Sequence, residues 1–130
     1  MAASAAIVVA GPADAATGCG GSAYAPPFSM QLGSWGPEAP ANSGVAGISD
    51  TYVHYEWEAG GNVSRQVAVQ GLAFIDGEAT WVDIGFPGTS DDAYLPWGSV
   101  LATPKIRASS NGPGSFVSFT CTAVSLFPTD

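Results

Sequence analysis

The chain has 130 residues, a length that fits a single domain with a modest core. Its 17 glycines and 10 prolines, with charged residues at only 11%, favour short strands and turns over helices. Eleven acidic residues against three basic ones give a formal net charge of −8. This charge disfavours nucleic acid and anionic membrane surfaces as partners, since both are themselves negatively charged.

Residues 1–15 have the pattern of a truncated secretory signal peptide. A small apolar run from Met1 to Ala10 leads to a break at Gly11-Pro12 and then to Ala13-Asp14-Ala15, an A-x-A cleavage site. The run is too short to cross a bilayer, so we expect no membrane insertion. Because no basic residue precedes the run, we expect the natural start codon to lie upstream. The sequence therefore predicts a secreted, extracellular protein.

Two cysteines follow the cleavage site, Cys19 near the start and Cys121 near the end of the mature chain. An even count in an exported protein predicts a disulfide, which here joins the first strand region to the last strand. Closing a loop of roughly 100 residues is worth about 4 to 5 kcal/mol in the chain-entropy description. A lipidated Cys19 is the alternative. It is disfavoured because lipoprotein signals carry a leucine-like residue where Ala16 stands, and because lipidation would leave Cys121 without a partner.

Residues 16–27 form a Gly/Ala/Pro-rich segment that we interpret as an extended N-terminal arm, with the β-domain at residues 28–130. The arm contains a G-x-G-x-x-A motif, but no strand signal precedes it and no helix signal follows it. The sequence therefore predicts no dinucleotide site and no cofactor. Apolar residues at every second position from Phe28 to Leu32 predict a half-buried strand, and the two prolines within residues 35–43 predict a loop.

The clearest strand signal lies between Ser49 and Glu58. Its inward set is Val53, Tyr55 and Trp57, and its outward set is Tyr52, His54, Glu56 and Glu58. This period of two predicts one face in the core and one face in solvent. A Gly-rich turn and a second alternating strand, from Val63 to Val69, are expected to follow.

A hairpin is predicted from Gln70 to Gly85, because Asp76-Gly77 separates two apolar runs. A two-residue turn and a three-residue turn pair the strands in registers that differ by one residue, and both registers stay open. Apolar residues occupy both faces of the hairpin in either register. We therefore expect central strands that are covered on two sides.

Residues 86–98 are expected to form the longest loop of the mature chain. Residues 99–108 predict a strand interrupted by Pro104, hence edge-like or bulged, and residues 109–115 predict a turn. Residues 116–127 predict the last strand. Seven or eight short strands with this spacing indicate an all-β fold, a single antiparallel β-sandwich of Ig-like or jelly-roll topology with one disulfide.

Catalytic and metal chemistry find little support in the sequence. His54 is the only histidine, no nucleophile elbow accompanies it, and neither a second histidine nor paired cysteines complete a zinc site. Asp91-Asp92 could ligate calcium with Thr89 and Ser90, but the segment lacks the acidic spacing of calcium loops. We therefore predict no catalytic residue and no metal site.

The strongest candidate site is the segment Tyr94-Leu95-Pro96-Trp97, together with Asp91 and Asp92 and with Trp35 from another loop. Large aromatic residues in a polar loop are costly to expose without a partner, and Tyr and Trp dominate binding hot spots. Flat rings beside carboxylates also suit sugar rings. The alternative is that the segment folds back as a lid over the open end of the sandwich.

Three functions are consistent with these patterns. We favour a secreted, non-catalytic binding module that recognises a cell-surface glycan or an extracellular protein through the aromatic loops. An inhibitor or adapter component of an extracellular protein assembly is the first alternative. The second alternative is a carboxylate-based glycoside hydrolase built on Glu56 and Glu58, which project from one strand face about 6 to 7 Å apart.

Overall fold

The computed structural model describes residues 7–9, 18–60, 67–85 and 90–125, with the backbone alone for 7–9 and 125. Among these residues there is no helix, and so none that is long and apolar enough to cross a membrane. The all-β prediction is confirmed. The strands are β1 (Ile7–Val9), β2 (Gly18–Ala25), β3 (Ala39–Pro40), β4 (Gly44–Ala46), β5 (Thr51–Ala59), β6 (Val67–Ile75), β7 (Glu78–Asp83), β8 (Ser90–Pro96), β9 (Leu101–Ala102), β10 (Lys105–Ser110) and β11 (Ser115–Ser125).

Two four-stranded antiparallel sheets pack as a sandwich. The front sheet has the strand order β2-β11-β5-β8, and the back sheet has the order β3-β10-β6-β7. A small third sheet has the order β9-β4-β1, in which β1 runs parallel to β4. The β1 strand falls within the predicted signal peptide, and the cleavage site at Ala13-Asp14-Ala15 lies outside the described residues. Signal cleavage therefore stays a prediction.

Inward-facing residues of β5 connect the two sheets. Tyr55 and Trp57 are buried and alternate with outward-facing neighbours, as the period of two predicts. The Tyr55 hydroxyl donates a hydrogen bond of 2.6 Å to the Leu72 carbonyl, and the Trp57 indole N–H donates one of 2.8 Å to the Ile84 carbonyl. The polar tips of both rings are therefore satisfied inside the core. Burial raises the pKa of the Tyr55 phenol above its usual range.

The predicted disulfide is present and lies in the core. Cys19 of β2 stands directly opposite Cys121 of β11, with 4.9 Å between their Cα atoms. The structure places Gly18–Ala25, predicted as part of an arm leading into the domain, within the front sheet as β2. The bridge therefore fastens an outer strand of this sheet to the strand beside it.

The turn at Asp76-Gly77 has two residues, since Ile75 pairs directly with Glu78. Its φ values of 53° and 81° are the left-handed backbone that such a turn requires. The hairpin strands were predicted to be central strands with both faces covered. This is wrong for β7, which forms an edge of the back sheet in the described part of the chain. The Arg107 side chain, and not another layer of strands, covers the outward-facing Trp81.

Residues 28–32 form consecutive turns, so the strand predicted there is wrong. The Leu32 N–H donates to the Ser29 carbonyl within the same segment. The Ser29 hydroxyl fixes this geometry because it donates to the Pro26 carbonyl and accepts from the Ser110 N–H. Local hydrogen bonding therefore overrides the apolar alternation, and Leu32 is left 77% exposed.

Residues 90–96 form the strand β8, so the prediction of a continuous loop over 86–98 is wrong for this part; residues 86–89 lie outside the described residues. β8 pairs antiparallel with β5 and is an edge strand of the front sheet as described. Its Leu95 is buried, whereas Asp92 and Tyr94 are exposed. Acidic residues and a terminal proline are compatible with an edge strand, which has no further neighbour to pair with on that side.

The C-terminal part follows the prediction more closely. Pro104 separates β9 from β10, and residues 111–114 turn the chain from β10 into β11. The strand was expected to be edge-like or bulged. The edge position is wrong for β10, which lies between β3 and β6, while the chain is interrupted at Pro104 as expected. The end of the predicted strand 116–127 lies outside the described residues.

Candidate binding face

Trp97 belongs to the core and cannot present its ring to a ligand. Its side chain is 1% exposed, and its indole N–H donates to the carbonyls of Val100 at 3.1 Å and Val45 at 3.4 Å. Phe74 meets the ring edge-on, with 4.8 Å between ring centres. A ring buried in this way offers no stacking surface, so the structure favours the alternative of a lid for Trp97 over the ligand-binding role predicted from the sequence.

Trp35 lies on the opposite side of the sandwich from Tyr94. The Arg107 guanidinium carbon lies 5.1 Å from the Trp35 ring centre and 4.5 Å from the Trp81 ring centre. Arg107 also donates two hydrogen bonds, of 2.9 and 2.7 Å, to the Gln70 side-chain oxygen. Trp35 thus packs on the outward face of the back sheet, and the structure does not bring it together with the other predicted site residues.

The outward face of the front sheet collects those other residues. On β5, His54, Glu56 and Glu58 alternate with buried residues and point away from the core. The register places Asp92 of β8 beside Glu56, and Tyr94 beside His54. We call this surface the binding face; it consists of Tyr24, Phe116, Ser118, Glu58, Ser90, Thr120, Glu56, Asp92, Thr122, His54 and Tyr94.

The middle of the binding face carries acids and hydroxyls around an open depression of about 620 Å³. Two cross-strand rows cross it: Thr120, Glu56 and Asp92 form one, and Ser118, Glu58 and Ser90 form the other. Asp91 lies at the rim, where its side chain accepts a 2.8 Å hydrogen bond from the Asp92 N–H. Carboxylates accept hydrogen bonds and hydroxyls both donate and accept, so these rows suit a ligand rich in hydroxyl or amine groups.

Aromatic rings flank these two rows along the strand direction, one pair on each side. Tyr24 and Phe116 form a tilted pair with 5.1 Å between ring centres, and Phe116 is 64% exposed. At the other end His54 and Tyr94 stack in parallel, with 4.1 Å between ring centres and 10° between planes, and Tyr94 is 48% exposed. Six residues along β11 separate the two ends, which corresponds to about 20 Å at the usual rise of a strand. Ring faces at this spacing offer two separate stacking positions.

His54, Glu56 and Asp92 converge where the His54–Tyr94 stack meets the first of the two rows. The His54 Nε2 atom lies 2.8 Å from the Asp92 Oδ2 atom, and one ligand atom from each of the three side chains lies within 4.8 Å of the others. Such a set of one imidazole and two carboxylates could hold a metal ion. Thr89, predicted as a calcium ligand, lies outside the described residues. Because Asp92 was predicted to lie in a loop, the sequence did not indicate that it stands beside Glu56.

The basic residues of the described chain do not neutralise the binding face. Lys105 pairs with Glu38 at 3.0 Å, and Arg107 lies between two tryptophans of the back sheet. Arg65 lies outside the described residues. The acidic groups of the binding face therefore give it a negative potential.

The sequence-based prediction missed the aromatic pair of Tyr24 and Phe116 and the hydroxyls of β11. The alternation along residues 116–127 is visible in the sequence, but both of its sets contain aromatic and hydroxyl residues, so it does not say which set faces solvent. Comparison with known proteins does not supply the answer either. The sequence matches no protein-family model, and no curated protein shows significant similarity to it. Function must therefore be argued from the binding face itself.

Proposed function

We propose that this protein is a secreted, non-catalytic module that binds a glycan on its binding face. The observation that carries the proposal is the arrangement of exposed aromatic rings on both sides of two rows of hydroxyls and carboxylates. The proposal keeps the class of function expected from the sequence and moves the site from the aromatic loops to a sheet face.

The chemistry of a sugar chain fits this arrangement. A pyranose ring has C–H faces that pack on flat aromatic rings, and equatorial hydroxyls that donate hydrogen bonds to carboxylates. Rings about 20 Å apart reach further than one sugar, so the face suits an oligosaccharide. The negative potential disfavours acidic glycans and favours neutral or amino sugars.

Rigidity of the surface supports the same function. The residues of the binding face stand on strands that pair with neighbours along the front sheet, and the buried disulfide joins two of those strands. Side chains held by paired strands lose less entropy on binding than side chains on a mobile loop. The disulfide is also compatible with an extracellular location, where a cell-surface glycan would be met.

Binding to a panel of neutral, amino and acidic polysaccharides tests the proposal. We expect Tyr94→Ala and Phe116→Ala each to weaken the complex by about 2 kcal/mol, since both remove an exposed stacking ring. Leu101→Ala is the matched control, because Leu101 is also an exposed apolar residue but lies in the small sheet. Equal affinity of all three variants and the wild type would place the ligand elsewhere. Retention of a protein and of no glycan would favour the inhibitor or adapter alternative.

A further inference from the structure

We propose that His54, Glu56 and Asp92 form a binding site for a divalent transition-metal ion of the zinc type. The site lies toward the His54–Tyr94 end of the binding face and shares residues with it. The proposal does not rest on the glycan function, since a metal ion binds these side chains whether or not a sugar does. It revises the prediction from the sequence that the chain has no metal site.

Backbone pairing determines which side chains meet. His54 and Glu56 are two residues apart on β5 and therefore share a face, while Asp92 stands directly across from Glu56 on β8. The three ligand atoms already lie within 4.8 Å of one another. Ligands at about 2.0 to 2.2 Å from a tetrahedrally coordinated zinc ion lie about 3.3 to 3.6 Å apart. Rotation of the exposed Glu56 and Asp92 side chains brings the ligand atoms to this spacing, with the 2.8 Å contact between His54 Nε2 and Asp92 Oδ2 opening to admit the ion.

The histidine distinguishes this group from an ordinary patch of surface acids. Its side chain is only 19% exposed, and its ring lies flat against Tyr94 with 4.1 Å between ring centres. This packing directs the Nε2 atom toward the carboxylates, 2.8 Å from the Asp92 Oδ2 atom. A nitrogen ligand held in place before the ion arrives lowers the entropic cost of binding.

Charge and ligand type define the ion. Glu58 and Asp91 border the same depression, and neither of the described basic residues, Lys105 and Arg107, reaches it. A dication therefore relieves repulsion between the carboxylates. Calcium and magnesium prefer all-oxygen sites, whereas an imidazole with two carboxylates favours zinc and its neighbours in the transition series. Three protein ligands also leave a coordination position open.

Calorimetric titration of the tag-free full chain with Zn²⁺ tests the proposal. We expect one zinc ion per chain, with His54→Gln and Glu56→Gln each weakening zinc binding by about tenfold or more, because each removes a ligand. Glu58→Gln is the matched control: it removes the same charge as Glu56→Gln from the same strand face but takes away no ligand. Its affinity should stay within roughly threefold of the wild type.

Three outcomes would overturn the proposal. One is equal weakening by Glu56→Gln and Glu58→Gln, which would indicate diffuse attraction to the acids. Another is Ca²⁺ binding as tightly as Zn²⁺ and independently of His54. The third is the absence of zinc binding to the wild type.

Nuclear magnetic resonance of the unmodified chain gives a readout that does not depend on the folding of a variant. His54 is the only histidine, so its imidazole signals can be assigned without ambiguity. Those signals should shift when one equivalent of Zn²⁺ is added in the absence of any glycan. Signals that do not move while zinc binds would reject His54 as a ligand. Glycan binding measured with a chelator present keeps the outcome of the glycan proposal separate.

Discussion

The two outward faces of the sandwich use aromatic residues in opposite ways. On the back sheet, Arg107 lies between the rings of Trp35 and Trp81 and donates to Gln70, so rings and polar groups satisfy one another within the chain. On the front sheet, Tyr94 and Phe116 are exposed on either side of acidic rows that no described lysine or arginine neutralises. An aromatic residue therefore indicates a binding surface only where the protein leaves its ring uncovered.

Trp97→Ala is the strongest test of this comparison between buried and exposed rings, because Trp97 and the exposed Tyr94 lie three positions apart on the chain. Removing the buried indole leaves a cavity at the end of the sandwich, so we expect the free energy of unfolding to fall by about 3 to 5 kcal/mol. Tyr94→Ala, the control, should lower it by less than about 1 kcal/mol. Denaturant unfolding measures both, and a mild effect of Trp97→Ala would contradict its place in the core.

Loss of the disulfide should have the next largest effect. Cys121→Ser opens a bridge that spans most of the chain, and we expect a loss of about 2 to 5 kcal/mol in the free energy of unfolding. Reduction of the wild type should lower stability to a similar degree. Two free thiols in the mass of the oxidised protein would contradict the bridge and weaken the case for an extracellular location.

Alkaline pH should reveal the buried phenol of Tyr55. Burial raises its pKa, so the folded protein keeps the phenol neutral while the unfolded chain ionises above its usual pKa of about 10. Stability should therefore be fully present below pH of about 10 and fall as pH rises toward the folded-state pKa. Tyr55→Phe should weaken this dependence but cost about 1 to 3 kcal/mol at neutral pH, because the Leu72 carbonyl loses its donor. An unchanged alkaline profile in this variant would reject the assignment.

Arg107→Ala probes the back face directly. It removes the guanidinium between two indole rings and its hydrogen bonds to Gln70, which should cost about 1 to 2 kcal/mol of stability. Arg107→Lys keeps the charge but loses the planar fork, so it should recover only part of the loss. Neither variant should alter glycan affinity. A drop in affinity with unchanged stability would reverse the roles assigned to the two faces.

Glu56→Gln and Glu58→Gln should have the smallest effect on stability, within about 0.5 kcal/mol, because both side chains are exposed. They also separate a binding module from the hydrolase alternative. We expect no glycan hydrolysis by the wild type on a broad panel of substrates. Reproducible turnover that disappears in either variant would establish an enzyme.

Local patterns in the sequence determined a substantial part of this structure. The period of two in Val53, Tyr55 and Trp57 identified the core side of β5, because successive strand residues point to opposite faces. Asp76-Gly77 identified a two-residue turn as one of two options, because few residue pairs tolerate positive φ. The presence of only two cysteines predicted the disulfide, since each has only one other cysteine to pair with.

Only the tertiary structure decided how distant segments meet. Nothing near Asp92 in the sequence shows that it pairs with Glu56, and nothing near Trp97 shows that Val45, 52 positions away, supplies one of its acceptors. Likewise, the prolines and acids around Tyr94 are equally compatible with a loop and with an edge strand. Strand pairing and burial depend on contacts between residues far apart in sequence, whereas turn chemistry and alternation are local. The binding face depends on these long-range contacts, because it exists only once four strands lie side by side.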